Sequence, residues 1–224
     1  MELYHVLNRG VDKRDIFLDD QDRFRFIHDL FEFNDKMNAF NMGRTFNEVM
    51  IDVRRQSSQS TTRDPLVDIH AFSMMPNHYH LLLSSRVENG ISLFMKKLNG
   101  GFAKYFNEKY DRNGALFQGR YKKIEVNSEA HFLYLPYYIH LNPLDMVAPE
   151  WRDGKLHDHA KAVTFLESYR WSSHLDYLSK HNFPSITNRE FLTDVFGESK
   201  GYKNGIRDFL RQLSSGGLGG IMLE

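Results

Sequence analysis

The chain has no cysteine. Disulfides and thiolate metal sites are excluded, and a cytoplasmic setting is the expectation. No apolar run of about 18 residues occurs, so no membrane span or membrane partner is expected. The start, Met1-Glu2-Leu3-Tyr4-His5, has neither the basic flank nor the apolar stretch of a signal peptide. Net charge is also lacking, with 29 Lys and Arg against 29 Asp and Glu. Global electrostatics therefore argues neither for nor against nucleic acid. No P-loop or other nucleotide signature is present. What remains is 224 residues with 41% hydrophobic and 14% aromatic content, enough for a sizeable core.

The most informative stretch is Met75-Pro76-Asn77-His78-Tyr79-His80-Leu81-Leu82-Leu83. A short apolar run behind a Pro-Asn turn reads as a strand. Residues i and i+2 of a strand share a face, so His78 and His80 stand side by side with Tyr79 opposite. Two imidazoles on a rigid strand make a half-site for a divalent metal, although such pairs also simply pack or hydrogen-bond.

Charge is uneven locally. Between Arg86 and Lys123 nine basic residues face three acidic ones, interleaved with Phe94, Phe102, Tyr105, Phe106, Tyr110, Phe117 and Tyr121. Cations suit phosphates and rings suit unpaired bases. The same pattern also fits a solvated helix face over core aromatics.

Leu3 to Asn8 alternates as a first strand before Arg9-Gly10. A helix runs from Asp19-Asp20 to about Asn34 on the spacing of Phe24, Ile27, Leu30 and Phe31. Residues 38–66 are polar and read as a mobile insertion, with a short helix near Phe46 to Val53. Val67 to Met74 and His78 to Ser84 are strands two and three. A helix from about Ile91 to Lys109 carries Gly100-Gly101 inside it, which predicts a close approach or a kink. Arg120 to Val126 alternates as a fourth strand, and Ser128 to about Asn142 is a helix stopped by Pro143.

This order predicts an α+β fold with a ferredoxin-like βαββαβ core and an antiparallel sheet. Strands one and three are then central. The expected organisation is a domain over 1–145 and a helical C-terminal extension over 146–224. The extension includes a helix opened by a capping box at Thr187-Asn188-Arg189-Glu190.

Tyr134, Tyr138 and Asn142 are four apart and share one helix face. Facing a strand-borne histidine pair, a phenol and an amide oxygen form an assembly capable of chemistry. Packing of the helix on the sheet would account for the tyrosines equally well.

Five segments together resemble the single-tyrosine transposases with a His-hydrophobe-His motif, and within them the REP-associated tyrosine transposases. They are Tyr4 to Gly10, Met75 to Leu83, Gly114-Ala115-Leu116-Phe117-Gln118-Gly119-Arg120-Tyr121-Lys122, Tyr138-Ile139-His140-Leu141-Asn142-Pro143, and Tyr169-Arg170-Trp171-Ser172-Ser173. The resemblance covers most of residues 3–178.

It implies that His78, His80 and Asn142 hold Mg²⁺ or Mn²⁺, and that Tyr138 is the nucleophile. It implies cleavage and rejoining of single-stranded or hairpin-flanked DNA through a 5′-phosphotyrosine. Asn8, Arg9, Arg120, Lys122 and Lys123 are the expected DNA contacts, and the protein would act as a monomer or homodimer. Pro136 inside the helix departs from the family pattern and bears on the register of Tyr138, with Tyr137 as its rival. His5, His70, His131 and His140 are expected to be core or hydrogen-bonded residues rather than ligands. Two other readings remain: a module that binds single-stranded or structured DNA without cutting, and a metal phosphoesterase that uses water.

Overall fold

The computed structural model describes residues 1–37 and 63–214. It is an α+β protein with one four-stranded antiparallel sheet in the order β2-β3-β1-β4. The strands are β1 (Leu3–Arg9), β2 (Val67–Met75), β3 (His78–Ser85) and β4 (Lys122–Glu125). The helices are α1 (Asp20–Glu32), α2 (Gly90–Lys109), α3 (Glu129–Leu141), α4 (His159–Ser168), α5 (His174–Tyr177), α6 (Glu190–Phe196) and α7 (Ser199–Ser214). The predicted βαββαβ order is present, and strands one and three are the inner pair. Strand four is shorter than expected, beginning at Lys122 rather than Arg120.

Alternation divides the sheet into two faces. Val6, Tyr79, Leu81 and Leu83 point to one face, where Phe26, Leu30, Phe94, Leu98 and Phe102 of α1 and α2 cover them. Leu3 and Leu82 point to the other, where Leu135, Ile139 and Leu141 of α3 meet residues of α4 to α7. The chain beyond residue 145 therefore shares a core with α3.

Helix α1 starts on a capping box in which Asp19 accepts from the Asp22 amide and Asp22 accepts from the Asp19 amide. The end of α2 closes on this box. Lys109 Nζ donates to Asp19 and Asp22 at 2.8 Å each, and the Tyr105 and Tyr110 hydroxyls donate to Asp22 at 3.0 and 2.8 Å. Gly101 lets α2 approach α1, because a Cβ there would enter the Phe33 ring. Gly100 faces open space, so the compensation belongs to one glycine of the pair.

Much of the basic, aromatic window is thereby structural. Phe94, Phe102 and Phe106 are core. Lys97 donates to the Asp35 and Met37 carbonyls, and Arg86 pairs with Asp68 at 3.1 Å.

Residues 38–62 of the expected insertion, including the expected helix near Phe46 to Val53, lie outside the described residues. Its last four residues are anchored: Leu66 is buried, and the Arg63 guanidinium lies 3.6 Å over the Phe31 ring and donates to the Phe31 carbonyl.

The Thr187 capping box does not form. The N-cap of α6 is Arg189 with no side-chain cap bond. Asn188 is instead tied to β2, donating from its amide to the Ile69 carbonyl at 2.8 Å. The Tyr169-Arg170-Trp171-Ser172-Ser173 motif has a related task. The Tyr169 hydroxyl donates to the Met74 carbonyl at 2.6 Å, and the Met74 amide donates to the Trp171 carbonyl at 3.0 Å. Ser73 and Ser172 form a bridge, so the motif covers the outer edge of β2.

Candidate active site

The histidine pair lies on inner strand β3, with ring centroids 5.1 Å apart. Hydrogen bonding on both flanks fixes this strand, since β3 pairs with β1 and β2. His5 of β1 joins the pair. Its ring stacks on His80 at 5.0 Å, and His5 Nε2 shares a hydrogen bond of 2.7 Å with His80 Nδ1. His78 Nδ1 bonds the Asn77 side-chain oxygen. His80 is held well below the usual histidine range, first by burial and then by the positive charge of His5, His78, Arg152 and Arg9. The imidazole is thus neutral at neutral pH, the form that metal binding needs.

Helix α3 crosses above this face. It is continuous through Pro136, so the proline costs a backbone bond without breaking the register. Tyr138 presents its ring edge to His80 at 6.2 Å and to His5 at 6.3 Å. Tyr137 is turned away, packed against Tyr202 and Phe196. A Cβ at Gly205 of α7 would collide with the Tyr137 hydroxyl, so that ring is wedged in the C-terminal core. Packing thus sets Tyr138 against the histidines and Tyr137 in the C-terminal core.

Asn142 follows α3 directly, fully buried, and its Nδ2 donates to the Tyr138 carbonyl at 2.9 Å. Tyr138 and Asn142 also share a partner. Arg152, in the 3-10 turn Pro149–Asp153, donates from Nη1 to the Tyr138 hydroxyl at 2.6 Å and from Nη2 to Asn142 Oδ1 at 2.7 Å. Asp145 holds the same guanidinium, accepting from Nε at 2.8 Å and from Nη2 at 2.7 Å. Burial lowers the affinity of Arg152 for its proton, but Asp145 and Tyr138 outweigh it and the net shift is upward. No spacing marks this residue. His5, expected to be a core or hydrogen-bonded residue, has its partner on another strand, where no local pattern points to it.

The expected DNA contacts separate. Arg9 is opposite His78 in the β1–β3 register and lies near the site. Lys122 is opposite Leu7, on the histidine face. Lys123 pairs with Val6 on the other face and packs its Nζ 3.8 Å over the Tyr4 ring. Asn8 pairs with Tyr79 on that same other face and is only 5% exposed. Arg120 is exposed, just before β4. The Leu116-Phe117-Gln118 segment runs beside the end of β1, with a bridge from Gly10 to Phe117 and the Gln118 amide donating to the Arg9 carbonyl.

Of the other histidines, His70 Nε2 shares a hydrogen bond with Ser84 Oγ at 2.8 Å. His140 is bonded to Ser173 Oγ and to the Tyr202 hydroxyl, both at 2.7 Å.

A metal would find two imidazoles and an amide oxygen here. Nδ1 of both His78 and His80 is engaged, so the pair would bind through Nε2. Among the described residues no group of three or more His, Cys, Asp or Glu side chains is placed to hold an ion. The two imidazoles are donors of the kind a divalent metal takes, while the Asn142 oxygen is tied to Arg152.

A buried histidine pair on an inner strand, faced by a tyrosine from a crossing helix, defines a class of site in which imidazoles and a phenol meet on one face of a sheet. Residues 43–142 match the family model described as transposase, IS200 like. That match carries the chain's likeness to the IS200-like transposases, and it spans His78, His80, Tyr138 and Asn142. The solved structure of a REP-associated tyrosine transposase bound to a REP hairpin is also similar, at 11% identity and a TM-score of 0.46, over 83% of this chain and 84% of that one. No curated protein matches the chain. No helix among the described residues is long and apolar enough to cross a membrane.

Proposed function

We propose that the chain is a metal-dependent DNA strand transferase that cuts and rejoins single-stranded, hairpin-flanked DNA through Tyr138. The observation that carries this reading is the Tyr138 ring set edge-on to His80 and His5, inside the segment that matches the transposase family. His78 and His80, with Asn142, would hold Mg²⁺ or Mn²⁺. Such an ion supplies positive charge that offsets the phosphodiester's own and polarises its oxygen. Hard cations favour oxygen ligands, so two imidazoles imply tolerance of Mn²⁺.

The residues then divide the work. Tyr138 attacks phosphorus. A bond from its oxygen to phosphorus forms as the bond to the 3′ oxygen breaks. The phenolic proton is lost to solvent and the departing 3′ oxygen takes one up. The product is a phosphotyrosine on the 5′ side and a free 3′-OH. Attack of a 3′-OH on that linkage reverses the step without ATP, because one phosphodiester replaces another. Arg9, opposite His78, Lys122, on the histidine face, and the exposed Arg120 would hold the DNA backbone. Lys123 and Asn8 would act from the opposite face, through the position of β1 and β4. The active unit is a monomer or a homodimer, and the setting is cytoplasmic.

One observation favours a second reading, a structured single-strand binder that does not cut. Asn142 Oδ1, the expected third ligand, accepts from Arg152.

One assay separates these readings and the water-using phosphoesterase. Labelled single-stranded hairpin DNA is incubated with the protein and Mn²⁺, then denatured and run on a gel. A label that stays on the wild-type protein and is absent from Tyr138→Phe supports the transferase. Cleavage that persists in Tyr138→Phe would indicate water as the nucleophile. Binding with no cleavage by either protein would leave only the binding module.

A further inference from the structure

We infer that Arg152 is a catalytic residue, supplying fixed positive charge to the tyrosine oxygen in both directions of strand transfer. The inference rests on Tyr138 being the nucleophile. Arg152 lies ten residues beyond Asn142, where the family match ends.

Its surroundings are those of an aimed group. Asp145 takes one edge of the guanidinium through Nε and Nη2. Trp151, buried, donates from its indole nitrogen to Asp145 Oδ1 at 2.7 Å and so fixes the carboxylate. The guanidinium carbon lies 5.0 Å from the Trp151 ring centroid and 5.4 Å from that of Tyr138. Held this way, the plane directs Nη1 at the tyrosine oxygen and Nη2 at Asn142. One third of the arginine side chain is still exposed, so a phosphate can reach the same charge. Guanidinium matches phosphate geometry, and it stays protonated in any protein setting.

The chemistry asks for such a group. In the forward step the phenolic oxygen gains negative character as its proton leaves, and part of that charge persists until the bond to phosphorus is complete. In the reverse step the 3′-OH displaces that oxygen, which departs carrying the electron pair. A cation on this atom lowers both barriers without itself transferring a proton. An arginine that only braced the turn would need Asp145 and Asn142, not the tyrosine oxygen.

The test compares Arg152→Ala and Arg152→Lys with wild type and Tyr138→Phe. The readouts are the rate of covalent adduct formation, hairpin affinity, thermal unfolding, and rescue by added guanidinium ion below denaturing concentrations. Arg152→Ala is expected to slow adduct formation about a hundredfold, the size seen when one preorganised donor is removed. Affinity should change little, and added guanidinium should restore the rate in Arg152→Ala but not in Tyr138→Phe. Arg152→Lys should be intermediate, since an ammonium cannot span the phenol and the amide. If the alanine variant does not fold, the lysine variant is read alone: an undiminished rate in it overturns the role.

A folded Arg152→Ala protein that forms the adduct at the wild-type rate overturns the inference. So does a slow one that guanidinium fails to rescue. An adduct that survives Tyr138→Phe instead overturns the reading of Tyr138, whatever Arg152 does.

Discussion

Lys109 gives the sharpest test of what the basic, aromatic stretch between Arg86 and Lys123 is for. A phosphate contact and a structural clamp predict opposite results for Lys109→Ala. Lys109 Nζ reaches Asp19 at 2.8 and 2.9 Å and Asp22 Oδ1 at 2.8 Å, with the Asp22 side chain fully buried. Deleting one partner of a buried pair costs roughly 3–5 kcal/mol. The lower end applies, because Asp22 keeps the Leu18 amide at 2.8 Å and the Tyr105 and Tyr110 hydroxyls. Each kcal/mol moves the melting temperature of a chain this size by about 2–4 °C. A fall of roughly 6–12 °C is therefore expected. Affinity for single-stranded DNA, measured at several salt concentrations, should keep its slope. An unchanged melting temperature together with a salt slope smaller by about 0.7, the share of one phosphate contact on a single strand, would refute the structural assignment.

Two further outcomes follow from the same geometry. Lys122→Ala should weaken binding of hairpin DNA and shallow its salt dependence, while Lys123→Ala should leave both nearly unchanged, because the two side chains stand on opposite faces of β4; equal losses would contradict that placement. Stability should also fall with acid. Burial pushes His174 down to about 4 and His140 well below the usual range, so the folded protein leaves them neutral while the unfolded chain takes up protons near pH 6.5. The stability they protect is complete above that value and declines as pH falls toward 4. Urea unfolding from pH 7 to 4 should show this slope, and His174→Gln should flatten it; a variant as pH-sensitive as wild type would argue against a buried neutral His174.

Alternation and helical spacing determined what is local about this protein. Leu3 to Asn8 and His78 to Ser84 alternate or run apolar, and that was enough to order the strands and make the histidine strand an inner one. The four-residue spacing of Tyr138 and Asn142 puts them on one helix face. These signals are short-range, because backbone periodicity decides which way neighbouring side chains point.

Only the tertiary structure decided what faces that histidine strand. His5 reaches His80 across a strand pairing between residues 75 apart. Arg152 reaches Tyr138 from a turn that carries no motif. Lys109 proved to be bound to carboxylates of α1. The helix after Thr187 starts later, with Arg189 as its N-cap, and the Asn188 amide is bonded to Ile69 of β2. In each case the deciding partner lies far along the chain, where the sequence pattern carries no record of which groups folding brings within hydrogen-bond reach.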